Sequence, residues 1–283
     1  MPLEPYIDAH SHLWTPDVAR YPLAAGFTVA DMKPPSFTAD ELLATCRPAG
    51  VGRVNLIQMS YYEFNNAYML DMIALRRERF VGTGIVDPLG PRPGEEMKAL
   101  LPRGVRAFRI QPHFSKQPPA RWLEPPGYDA MFATAARTSQ ALSCLIGPDG
   151  FAEVDRMCRK HPETTVIIDH LGRVGADGTV RDADVDALCA LAQRPKVLVK
   201  VGAFYALGKR TPPYLDLAPL IHRVVSAFGP ARCMWESDCP FQVVEHKYTD
   251  SLMLIRERLS FLNLADRDWL LWRTAERTLF RPL

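Results

Sequence analysis

His10 and His12 stand two residues apart at the end of the run Tyr6-Ile7-Asp8-Ala9-His10-Ser11-His12. A strand alternates its side chains between two faces, so both imidazoles are expected on one side. So placed, they can grip one metal ion or one substrate oxygen. Other polar residues stand in or just after later apolar runs. Arg106 and Arg109 lie within Val105–Gln111, and Asp169 and His170 close Thr165–His170. Lys200 sits in Val197–Val201, with Tyr205 shortly beyond, and Glu236, Ser237 and Asp238 follow Cys233-Met234-Trp235. Imidazoles, carboxylates and cations gathered in one place can activate water, shuttle protons and hold an anionic substrate. Each residue also has a plainer reading. His170 alone reads as a hydrogen-bonded core histidine, Asp238 as a helix cap and Lys200 as a snorkelling side chain. Asp169 is expected to face away from its neighbour His170. Arg106 and Arg109, three apart, are expected to face opposite sides, so only one reaches a shared site. The role of Glu236 stays open.

Strand-like runs cover Tyr6–His10, Arg53–Met59, Phe80–Val86, Val105–Gln111, Ala141–Ile146, Thr165–His170, Val197–Val201 and Cys233–Ser237. They are short, apolar and often β-branched, as buried parallel strands are. Helical patterns separate them: Thr38–Cys46, with Ser36 as its cap, then Asn65–Arg79, Gly94–Leu101, Tyr128–Thr138, Phe151–Lys160, Ala183–Ala192, Leu215–Phe228 and Asp250–Leu259. Eight such pairs predict a (β/α)8 barrel over residues 1–283 as one domain, with an open doubly wound sheet as the rival. No Gly-x-Gly-x-x-Gly follows an early strand, which disfavours dinucleotide binding. Active sites of such barrels form where the strands end, which is where the polar residues fall. Asp266–Phe280 is a ninth helical segment, and Trp269, Trp272, Leu279 and Phe280 predict that it docks. The stretch Trp14–Ser36 is a candidate lid.

Composition narrows the class. The chain has 283 residues and a net charge of +2, so no basic field points to nucleic acid. No apolar stretch approaches the ~20 residues needed to span a bilayer. None of the six cysteines forms a C-x-x-C pair, and no charged-then-apolar leader precedes Asp8. A reducing, cytoplasmic location is expected. A homo-oligomer is compatible with the aromatic tail.

The chain resembles the amidohydrolase superfamily, in its branch of lactone hydrolases and related decarboxylases. The resemblance rests on Ile7-Asp8-Ala9-His10-Ser11-His12-Leu13-Trp14, Gly104-Val105-Arg106-Ala107-Phe108-Arg109, Ile168-Asp169-His170-Leu171-Gly172, Glu236-Ser237-Asp238-Cys239-Pro240-Phe241 and Thr274–Phe280. It implies a distorted (β/α)8 TIM barrel with an added C-terminal helix. It implies that His10 and His12 bind a divalent metal, and that Asp238 ligates metal or acts as general base. His170 would polarise or protonate substrate, and Arg106 or Arg109 would hold a substrate carboxylate. Lys200 and Tyr205 are expected to assist. One departure stands out: metal-binding relatives place a further histidine after the fifth strand, where this chain has Ala141-Leu142-Ser143-Cys144-Leu145-Ile146-Gly147. One zinc or manganese ion on His10, His12 and Asp238, and catalysis without metal, both remain open. The expected reaction is the opening of a lactone or cyclic ester of a small anionic compound by water that Asp238 activates. Alternatives are metal-dependent decarboxylation of an aromatic or unsaturated acid, lactone isomerisation, and ligand binding without turnover.

Overall fold

The structure is a computed structural model that describes residues 4–281. Eight strands run parallel in the order of the sequence: β1 (Tyr6–His12), β2 (Val51–Ile57), β3 (Phe80–Gly84), β4 (Val105–Ile110), β5 (Ala141–Cys144), β6 (Thr165–Ile168), β7 (Val197–Val201) and β8 (Cys233–Trp235). Helices cross over between them, so the sheet curls into a (β/α)8 barrel. β8 and β1 share no ladder. They meet through a single bridge, Ser11 with Cys239, carrying the bonds His12 N–H to Cys239 O (2.7 Å) and Asp238 N–H to His10 O (2.9 Å). The barrel is thus nearly closed, with its seam between its first and last strands.

β1 runs two residues further than its sequence pattern suggests, and β3, β5, β6 and β8 stop two residues earlier. The residues so released, His170, Glu236 and Ser237 among them, belong to loops at the barrel mouth. The first helix, Ala39–Cys46, is capped by Thr38 rather than Ser36. Thr38 Oγ accepts from Glu41 N–H while the Glu41 carboxylate accepts from Thr38 N–H, a reciprocal capping box.

Two apolar layers hold the barrel. The outer one lies between strands and helices. The inner one fills the lower interior with Ile7, Ala9, Val81, Ala107, Ala141, Ile167, Leu198 and Met234, all buried. Ala275 and Leu279 of the last helix close this end from below. β2 contributes Arg53 there, whose guanidinium donates to Glu276 Oε1 (2.8 Å) and lies over the Phe280 ring. The docking expected of the tail therefore takes the form of a plug.

Trp14–Ser36 is no lid. Trp14, Tyr21 and Met32 are buried, and Trp14 pairs with Phe37 through two backbone hydrogen bonds of 3.0 Å. Tyr61 O–H donates to Asp31 O (2.9 Å), and Tyr21 O–H to Asp71 (2.7 Å). These contacts fasten the segment beside β2, and none of its residues lines the cavity at the mouth. Among the described residues, no helix is long and apolar enough to cross a membrane. All six cysteines are free.

Candidate active site

At the upper end of the barrel a cavity of about 580 Å³ opens over His12, Arg109, His170, Tyr205 and Asp238. β1 delivers its two histidines through an irregularity in its pairing with β2 between Asp8 and Ser11. Strict alternation would put Asp8 on the face of His10 and His12. The irregularity instead lets Ile7, Ala9, His10 and His12 all face inward, while Asp8 and Ser11 turn together to the other side. The two Nε2 atoms lie 3.2 Å apart.

Hydrogen bonds behind the rings fix their orientation. His12 Nδ1 faces Ile57 O at 3.1 Å; a carbonyl only accepts, so the proton sits on Nδ1 and Nε2 keeps its lone pair. His10 Nδ1 lies 3.1 Å from Glu236 Oε2 and 3.0 Å from Lys200 Nζ. Burial first, then the nearby charges of Lys200 and His170, pushes His10 well below the ordinary histidine range. Burial also lowers His12, against the opposing pull of Asp238. Both rings are therefore neutral near pH 7.

Asp238 follows β8 with a left-handed backbone (φ 56°), a conformation that costs a non-glycine residue energy and is found where side chains must be aimed. Its side chain does not cap the following helix. Oδ2 accepts from Tyr205 O–H at 2.7 Å, and Oδ1 lies 3.5 Å from His10 Nε2 and 3.3 Å from His12 Nε2. Burial opposes its ionisation, but the charge of His170 foremost, with the hydrogen bond from Tyr205, outweighs that and holds the carboxyl well below its usual range. His170, also left-handed (φ 54°), sets Nδ1 2.6 Å from Glu236 Oε1 and Nε2 4.0 Å from Asp238 Oδ2. Burial would lower its pKa, yet the carboxylates of Glu236 and Asp238 reverse the sign and raise it. The site thus sets two neutral histidines and a carboxylate beside one histidine biased toward its cationic form.

A layer of buried charge lies beneath. Lys200 Nζ is 2.9 Å from Asp169 Oδ1 and 3.3 Å from Ser143 Oγ, and Ser143 O–H donates to Asp169 Oδ1 at 2.7 Å. Lys200 is fully buried and neither snorkels nor lines the cavity, so it supports His10 instead of reaching a substrate. Asp169 does not face away from the site as alternation predicted. β6 ends at Ile168, and beyond the strand the rule no longer applies.

The two arginines separate as their spacing requires. Arg109 lines the cavity, its Nη2 3.5 Å from His170 Nε2. Arg106 lies off the cavity, half-buried, where burial and the charge of Arg281 lower its pKa. It is not a candidate for substrate contact. Arg173 and Arg210, which carried no signal beyond charge in the sequence, also line the mouth. Glu236, left open by the sequence, accepts at Oε1 from the His170 backbone N–H (3.1 Å) and Nδ1 (2.6 Å), while its Oε2 lies 3.1 Å from His10 Nδ1.

The geometry suits a divalent cation. His10 Nε2, His12 Nε2 and Asp238 Oδ1 form a triangle with edges of 3.2, 3.5 and 3.3 Å. Tetrahedral ligands at zinc distances stand about 3.3–3.4 Å apart. Asp238 Oδ1 is buried and has no hydrogen-bond partner among the described residues, which a cation would supply. His10, His170 and Asp238 also lie within mutual reach of one ion. Cys144 is buried in the outer layer, so it is no substitute for the missing fifth-strand histidine; Leu145 lines the cavity there instead.

A barrel with histidine and carboxylate side chains converging above its strands carries the groups that an enzyme needs to activate water. The chain belongs to the amidohydrolase family, whose model, described as Amidohydrolase, matches residues 7–281. It is 26% identical over 238 residues to 4-sulfomuconolactone hydrolase of Rhizobium radiobacter, covering 82% of this chain and 75% of that protein. It is 25% identical over 292 residues to L-fucono-1,5-lactonase of Burkholderia multivorans, covering 98% and 96%. Two solved structures share its fold. An amidohydrolase of Burkholderia multivorans with bound zinc superposes with a TM-score of 0.81 at 21% identity, covering 98% of this chain and 99% of that one. A probable 2-pyrone-4,6-dicarboxylic acid hydrolase of Acinetobacter baumannii with bound citric acid gives 0.80 at 19% identity, covering 98% and 100%.

Proposed function

We propose that this enzyme opens a lactone or cyclic ester of a small carboxylated compound. The observation that carries the reading is Asp238: an ionised carboxylate, held at one oxygen by Tyr205, with its other oxygen unpaired beneath the cavity. Oδ1 accepts a proton from the attacking water. A carboxylate with a free pKa of about 3.9 is a weak base in bulk water but serves in a dry site beside an electrophile. His170, biased toward its cationic form by Glu236 and Asp238, stands 4.0 Å from Asp238 Oδ2 and donates a proton to the departing ring oxygen. Arg109 orients an anionic group through charge-assisted hydrogen bonds. His10, His12 and Asp238 are the residues that would hold one zinc or manganese ion, whose charge would polarise the substrate carbonyl. The lactone-hydrolase names of two relatives and the zinc in a structural neighbour support this reading.

The test is a panel of carboxylated and neutral lactones, assayed on chelated and on zinc- or manganese-loaded protein, beside aromatic carboxylic acids monitored for carbon dioxide. Ring opening of a carboxylated lactone is expected. Release of carbon dioxide without lactone opening would replace this reading with decarboxylation.

A further inference from the structure

The seam between β8 and β1 separates the residues that the site must bring together. His10 and His12 stand on one side and Asp238 on the other, and only one bridge joins the two strands. Elsewhere in the barrel, each neighbouring pair of strands is held by a ladder of at least three registered residues. Behind the seam, on the side away from the cavity, lies the fully buried carboxylate of Asp8. Oδ1 accepts from the backbone N–H of His10 (3.1 Å) and of Ser237 (3.0 Å). Oδ2 accepts from the hydroxyls of Ser11 (2.8 Å), Ser237 (2.5 Å) and Tyr248 (2.7 Å). Two of these five donors come from β1, two from the residue that precedes Asp238, and one from the second helix after β8, Tyr248–Met253. Ser237 Oγ also accepts from Cys239 N–H at 3.0 Å, which extends the knot past Asp238.

We infer that Asp8 is a positioning residue: its carboxylate replaces the missing ladder at the seam and thereby sets the separation of His10 and His12 from Asp238. Five donors aimed at one carboxylate are matched only by an acceptor with two full oxygens. A neutral amide in its place presents an N–H₂ to hydroxyls that already point their protons inward. The site proposed above loosens when the knot does, because a carboxylate displaced by an ångström no longer meets both histidines. The inference rests on that reading for its catalytic consequence, but its structural half stands apart from it.

The experiment compares wild type with Asp8→Asn and Tyr248→Phe by residue-resolved amide hydrogen exchange, by zinc titration of the chelated protein, and by kcat and KM. In D8N, exchange at His12, Asp238 and Cys239 should accelerate by about tenfold or more while the amides of β4 to β6 keep their protection. Zinc affinity should fall by about tenfold or more, and kcat should fall with KM nearly unchanged. Y248F, which removes one donor of five, should show the same pattern at smaller size. Unchanged seam exchange and zinc affinity in D8N would overturn the inference. So would exchange that rises equally throughout the barrel, which marks a purely global loss of stability. If wild type opens no lactone, the exchange and zinc measurements still decide the role of Asp8.

Discussion

The two ends of this barrel are built by opposite rules. The lower interior is a sealed apolar plug, with Ala275 and Leu279 packed against residues from seven strands. The upper interior buries Asp169, Lys200, Glu236, His10, His170 and Asp238 within a few ångströms of one another. Burying apolar surface stabilises the fold, whereas burying charge costs hydration that is recovered only through well-made pairs. Along β4, β7 and the ends of β6 and β8 the inward residue changes from apolar to ionic in two positions: Ala107 to Arg109, Leu198 to Lys200, Ile167 to Asp169 and Met234 to Glu236. Within the barrel interior, apolar burial is therefore concentrated below, and charge above.

Substitutions at the two ends should separate these properties. The largest effect belongs to Asp238→Asn, which removes the proton acceptor without removing volume. Its kcat should fall by about 10³-fold or more, while the protein stays folded with a modestly lowered thermal midpoint, because a carboxyl held below its usual range contributes to stability when ionised. Retained turnover would erase the contrast. Leu279→Ala should do the reverse. Opening a cavity in the plug should lower stability by about 2–5 kcal/mol in denaturant titrations, with kcat kept at temperatures where the protein is folded. The smallest and sharpest comparison is Arg109→Gln against Arg106→Gln. The first should lower kcat/KM for a carboxylated lactone by about 10- to 100-fold and spare a neutral one. The second should leave both substrates within about twofold, since Arg106 lies off the cavity.

Much of the upper end was legible in the sequence because its residues fall at strand ends. His10, His12, His170 and Asp238 do converge, and Arg109 is the arginine that faces them. The alternation of strands was the right tool for Arg106 and Arg109, which lie within β4. It failed for Asp169, which stands one residue beyond β6, and for Asp8, which an irregularity in β1 turns to the other face. Period-two reasoning holds only inside a regular ladder, and this site is assembled where the ladders stop. Glu236 had no local pattern at all: its partners, His10 and His170, are distant in the chain and adjacent only across the folded barrel. The Trp14–Ser36 segment misled for a different reason. Lying between the first strand and the first helix, it reads as a lid, while Trp14, Tyr21 and Met32 carry an apolar signal for anchoring.

The plug has a consequence for how the protein is made. Ala275 and Leu279 are translated after all eight strands, so a nascent chain on the ribosome has an unfinished barrel, its lower apolar ring uncovered until their helix leaves the exit tunnel. Such a ring is the kind of surface on which growing chains aggregate and which chaperones shield. Completion of this fold therefore waits until that helix has been made, and the residues that finish the core are also the ones that time it.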